Sequence, residues 1–199
     1  MTDRFALATA ALDSVLKPED FDRTRHTWIR RVDGFADVVN LQLSKSLERL
    51  WVNLGVADPD AYERSWDKPM GSFVDEASCT VRARLGLLID NHDHSWEAGS
   101  GEGAAEMADT LRAYGLPWLD GMHSLAAMEK SLAREFRAGH EQGYPPVAIA
   151  LAVAQWKQGK RRAACETLDA RRRAGCGAWG DRLDAVALAF GCMPGPTKV

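Results

Sequence analysis

Two runs, Val38-Val39-Asn40-Leu41-Gln42-Leu43 and, a short turn later, Leu50-Trp51-Val52-Asn53-Leu54-Gly55, constrain the fold more than any other stretch. Apolar and amide side chains alternate there with period two, which predicts strands with one greasy face and one amide-bearing face. Upstream, Trp28-Ile29-Arg30-Arg31-Val32 leads into Asp33-Gly34, a strong two-residue hairpin signal. That register sets Val32 opposite Phe35, Trp28 opposite Val39 and Arg30 opposite Asp37, the last an attractive charge pair. A second turn near Lys45-Ser46-Leu47-Glu48 returns the chain through Leu50 to Val56, and Cys79-Thr80-Val81-Arg82-Ala83-Arg84-Leu85 alternates again. The expected sheet is an antiparallel meander of about four strands.

Helical signals surround it. Residues 2–16 carry an apolar stripe of Phe5, Leu7, Leu12, Val15 and Leu16, with Thr2 as cap and Pro18 as stop. Residues 57–78 read as a loop packed by Tyr62, Trp66 and Phe73, and the glycine-rich residues 97–103 as a flexible connection. Residues 104–114 predict a helix closed by a left-handed Gly115. Pro117 then opens a longer helix bearing Trp118, Met122, Leu125, Met128, Leu132 and Phe136, closed by Gly139. Residues 147–157 and 161–173 predict a helical pair around Gln158-Gly159-Lys160, residues 181–190 a last helix, and the tail from Pro194 frays. The fold class is therefore α+β: an antiparallel meander of about four strands backed by helices, with a C-terminal helical extension. The expected division is a domain over residues 1–139 and a helical appendage over 140–199.

The strings Thr27-Trp28-Ile29-Arg30, Val38-Val39-Asn40-Leu41-Gln42, Trp51-Val52-Asn53-Leu54-Gly55-Val56, Cys79 to Gly86 and Gly115-Leu116-Pro117-Trp118-Leu119 occur in an order that resembles a bacterial family, domain of unknown function 4304. The resemblance covers roughly residues 5–135. It implies an α+β domain and no particular activity. Similar proteins have an aromatic residue before a small loop where this chain has Leu47-Glu48-Arg49, a departure that bears on the second turn. Residues 145–173 separately resemble one tetratricopeptide-type unit through Ala148, Leu151, Ala154, Gly159 and Ala164. One unit is not an array, so it reads as an appendage.

Twenty-five basic against 28 acidic residues leave a net charge of −3, which argues against a general nucleic-acid binder. A hydrophobic share of 46% suffices for a real core. The four cysteines, Cys79, Cys165, Cys176 and Cys192, form no CxxC pair and read as reduced thiols in a cytosolic setting. The opening residues show no secretory run and no segment approaches the ~20 apolar residues of a membrane span, so the expected location is cytoplasmic.

With Val39, Leu41, Leu43, Val52, Leu54, Val81 and Leu85 turned toward the helices, Asn40, Gln42, Trp51, Asn53, Arg82 and Arg84 point the other way. Guanidinia, amides and an indole suit a carboxylate, a phosphate or a partner's loop; the bland alternative is a solvated face whose arginines pair with nearby carboxylates. Asp90-Asn91-His92-Asp93-His94 is the nearest approach to a metal motif, but it lacks a marked third imidazole and reads as a polar turn. Cys79 beside Arg82 is either an activated thiol or inert packing. Arg161, Arg162 and Arg171 to Arg173 form a basic stripe balanced by Glu166 and Asp169. No catalytic residue, metal ligand or cofactor is assigned. The sequence favours a non-enzymatic binding or accessory protein with a protein partner, an immunity-type factor being one version. The alternatives are a small anionic-ligand-binding domain and a metal-dependent enzyme using the Asp90 to His94 cluster.

Overall fold

Asp33 and Gly34 both adopt positive φ, 49° and 87°, as a primed two-residue turn requires. The register follows from it: Val32 faces Phe35, Arg30 faces Asp37 and Trp28 faces Val39, as the sequence predicts. The computed structural model describes residues 5–46, 48–138 and 144–192. Through them the chain runs α1 (Ala6–Leu16), β1 (Asp22–Thr24), β2 (Thr27–Val32), β3 (Phe35–Leu43), β4 (Arg49–Ala57), α2 (Pro59–Trp66), β5 (Val81–Arg84), α3 (Leu87–Asp90), β6 (Trp96–Glu97), α4 (Gly101–Thr110), α5 (Leu116–Gly121), α6 (Leu125–Ala138), α7 (Pro145–Lys157), α8 (Arg161–Arg173) and α9 (Gly180–Ala189). Among the described residues, no helix is long and apolar enough to cross a membrane. The chain divides into two units, Met1–Ala57 with Gly71–Met122 and Asp58–Met70 with His123–Val199.

The first unit is an antiparallel sheet in the order β1-β2-β3-β4-β5, with β6 also paired to β4. The four expected strands are β2 to β5, and β1 and β6 are short additions at the edges. Strand β4 shares one edge between two partners: residues 53–56 pair with β5, and residues 49 and 50 with β6. On one face Trp28, Val39, Leu41, Val52, Leu54 and Val81 are buried, each such side chain contributing roughly 1.5–3 kcal/mol. Helix α1 lies over this face, where the Trp28 indole donates to Asp13 Oδ1 at 2.8 Å. The same face holds a charge: Arg30 donates through Nε and Nη2 to Oδ2 of the fully buried Asp37, at 3.0 and 2.7 Å. Its Nη2 also reaches Asp120 at 2.6 Å, and the Phe21 ring stacks 4.8 Å away.

Several helical expectations shift. Helix α1 begins at Ala6 with no side-chain cap; Thr2 lies outside the described residues, and Leu7 is exposed. Residues 57–78 are not a loop throughout, because Asp58 caps α2 by accepting from Ala61 N at 2.9 Å and Pro59 occupies the first turn. The glycine-rich connection starts α4, with Ser100 Oγ accepting from Gly103 N at 3.0 Å. Gly115 is right-handed, not left-handed, and a π turn over Leu111–Gly115 carries α4 into α5. The glycine is there for space: a Cβ would lie 2.5 Å from Leu111 Cδ1 and 3.1 Å from Leu85 Cδ1. The long helix from Pro117 is two helices, broken at Met122, and Gly139 lies outside the described residues.

The second unit gathers helices around α7. Residues Ala148 to Ala154 are buried on every side, the signature of a central helix. Helix α2 meets it through Lys157, whose ammonium bridges Asp58 at 2.7 Å and Asp60 at 2.8 Å. Helix α6 is tied by Gln158 Nε2 donating to Glu129 at 2.9 Å, and α8 by Thr167 donating to Gln155 at 2.9 Å. The expected helical pair is thus α7 and α8. The reading of four reduced thiols is overturned: Cys165 and Cys192 form a disulfide, leaving Cys79 and Cys176 free. Cysteine usage therefore no longer supports a cytosolic setting. The pairing was hidden in the sequence because 27 residues separate the two cysteines.

Candidate amide face of the sheet

Period two places Thr27, Asn40, Asn53 and Arg84 in one row across four strands, since Thr27 faces Asn40, Asn40 faces Asn53 and Asn53 faces Arg84. The flanking rows hold Gln42 opposite Trp51, and Val38 opposite Gly55 opposite Arg82. All six sequence-predicted residues therefore share the face turned away from Trp28 and Leu54. Asn40 Nδ2 donates to Thr27 Oγ1 at 3.0 Å, and Asn53 Nδ2 donates to Gln42 Oε1 at 3.0 Å and more weakly to Asn40 Oδ1 at 3.5 Å. Asn53 is buried by these neighbours, whereas Gln42 is exposed.

This face is not uniformly open. Its other end, around Val38 and Gly55, is covered by residues 71–80, with Val74 fully buried and Arg31 donating to the Gly71 and Ser72 carbonyls. Gly55 permits the approach, for a Cβ there would sit 2.6 Å from Cys79 Sγ. Burial, reinforced by the charge of Glu76, pushes the Cys79 thiol well above its ordinary value against the opposing pull of Arg82. Cys79 is thus packing, not an activated nucleophile. Arg82 donates to Glu76 at 2.7 Å.

Residues 91–97 make the rim. Gly86 lets them fold back on the end of β5, because a Cβ at Gly86 would collide with the His94 backbone at 2.3 Å. The segment brings Asp93 to Arg84 as an ion pair, while Arg49 Nε donates to Ser95 Oγ at 3.0 Å. The Arg84 guanidinium lies 5.5 Å from the centre of the Trp51 ring, a cation–π stack. Trp51 Nε1 is buried, and no acceptor among the described residues meets it. Arg49, Asp93 and Ser95 were not singled out as part of this face; Arg49 shares the parity of Trp51 and Asn53, which was a usable signal.

The Asp90 to His94 cluster forms differently from a metal cage. Asp90 Oδ1 accepts from the His92 backbone N–H at 3.0 Å and lies 2.8 Å from His94 Nε2. These contacts hold its carboxyl below the usual range. The imidazole centres stand 6.3 Å apart, both beside one carboxylate oxygen. What the amide face offers chemically is hydrogen-bond donation and stacking: an indole N–H, amide N–H groups and guanidinia. Amides and guanidinia lack general-base strength near neutrality.

A family model described as a domain of unknown function, DUF4304, matches residues 12–121. The chain belongs to the DUF4304 family. No curated protein and no solved structure matches it. The DUF4304 match runs from within α1 to the end of α5 and contains every residue of the amide face, whereas α6 to α9 lie beyond it.

Proposed function

We propose that the amide face binds a protein partner and that the chain works as a non-enzymatic binding or accessory factor, an immunity-type role being one form of it. The observation that carries this reading is the Trp51 indole N–H, buried beside the Arg84 guanidinium with no acceptor among the described residues. A buried donor left unmade costs about 1–3 kcal/mol, and a partner's carbonyl or carboxylate that draws the covering Arg84 guanidinium aside would recover it. Arg82 and Arg84 already hold Glu76 and Asp93, so a small anion would have to displace a carboxylate. A surface whose rim charges are already satisfied suits a partner loop better.

The test is quantitative capture on the immobilised full-length protein. Wild type is compared with Trp51→Phe, which keeps an aromatic ring and deletes the donor, and with Gln42→Arg, which adds bulk in the exposed flanking row beside Trp51. One stoichiometric protein held by wild type, weakened about tenfold by Trp51→Phe and lost in Gln42→Arg, supports the reading. The same protein held equally by all three overturns it, as does phosphate or acetate binding at this face with no protein captured.

A further inference from the structure

Helix α9 is thinly anchored in the second unit. Leu183 and Val186 are its buried side chains, Phe190 stacks on Trp156 just beyond it at 4.5 Å, and Leu188 is 81% exposed. Arg182 secures the first turn by donating to the Glu63 and Arg64 carbonyls at 2.6 and 2.5 Å. At the far end the tie is covalent, from Cys192 to Cys165 on α8. Both cysteines line a cavity of about 230 Å³ between α8 and α9, together with Leu168, Arg172, Asp184 and Leu188. Arg172 and Asp184, paired at 2.8 Å, keep side-chain exposures of 30% and 52%, so the cavity opens to solvent and the disulfide stands at its wall.

We propose that Cys165–Cys192 is a thiol-exchange site, opened by a dithiol reductant, and that it latches α9 to α8. A thiolate of the dithiol attacks one cysteine sulfur, forming a mixed disulfide and expelling the other cysteine as thiolate. The second thiol of the reductant then displaces the first cysteine. Two electrons and two protons pass to the protein, which ends with two thiols, and the reductant leaves as its own disulfide. Cys176 does not compete for the bond, because it lies past the C-terminal end of α8, which itself is about 12 Å along the axis from Cys165 by helix rise. Once the latch opens, Val186 and Phe190 are the buried side chains that still hold the end of α9 among the described residues, and local opening becomes cheap.

Hydrogen–deuterium exchange of the full chain, oxidised and after native treatment with dithiothreitol, tests this. The expected result is that reductant opens the bond without denaturant. Amides of residues 183–190 should then exchange at least about tenfold faster while those of α7 do not change. The Cys165→Ser/Cys192→Ser variant should behave like the reduced protein whether or not reductant is present. The proposal fails if the oxidised protein carries four free thiols, if the bond resists dithiothreitol until denaturant is added, or if it opens and exchange over residues 183–190 stays the same.

Discussion

Gly55 and Arg30 show how much one position decides. A methyl group at Gly55 would enter the space of Cys79 Sγ and Cβ, at 2.6 and 2.8 Å, with the Glu76 carbonyl oxygen at 3.6 Å behind them. Gly55→Ala should lower stability by about 1–3 kcal/mol, read as a shift in the urea midpoint, while Gly101→Ala, at a position without positive φ, meets no neighbour within 4 Å. Arg30 is the counter-ion of a fully buried Asp37. Arg30→Ala should cost about 3–5 kcal/mol, since it takes a paired cation from a buried carboxylate; an unchanged midpoint would refute the account. Parity alone assigned Asn40, Gln42, Trp51, Asn53, Arg82 and Arg84 to one face, because side-chain direction in a strand is fixed locally. Their partners were not legible. Asp93 and Ser95 arrive through a fold-back that depends on the missing side chain of Gly86, and nothing local announces it.

Among the elements, α1 and β2 are joined by a bond that titrates. Burial raises the Asp13 carboxyl, but the Trp28 indole N–H, Lys17 and Arg23 outweigh it and hold the group below 3.8. A carboxylate depressed on folding contributes stability that is present above its unfolded value and is lost as pH falls through the folded one. Between roughly pH 5 and pH 2, wild type should therefore lose more melting temperature than Asp13→Asn. Parallel acid limbs would show that Asp13 contributes nothing to the acid sensitivity. The hairpin from β2 to β3 was legible to the residue because Asp33-Gly34 admits one register. The sequence reads as a loop at α2, although Asp58-Pro59 spells a cap and a first-turn proline, because Tyr62 and Trp66 look like loop packing. The end of α4 was misjudged for a different reason, since Gly115 is selected by the closeness of Leu111 and Leu85 rather than by backbone handedness.

At the scale of the molecule, the disulfide closes a loop of 27 residues in sequence separation, which is worth about 3–4 kcal/mol through the unfolded chain. Reduction should accordingly lower the thermal transition of the second unit and leave that of the first in place, a separation that calorimetry with and without reductant would resolve. A single shifted transition would mean that the two units unfold as one. The division into units also cuts across the chain order: residues 58–70 belong with α6 to α9, although they sit between β4 and β5. Helix α2 buries Ala61, Tyr62 and Ser65 and packs on α7, yet the family window of residues 12–121 includes α2 and stops before α7. The segment that defines kinship thus contains α2 but not the helix on which α2 packs in this chain. Cut back to the family window, this chain would expose the face of Ala61, Tyr62 and Ser65 that α7 covers.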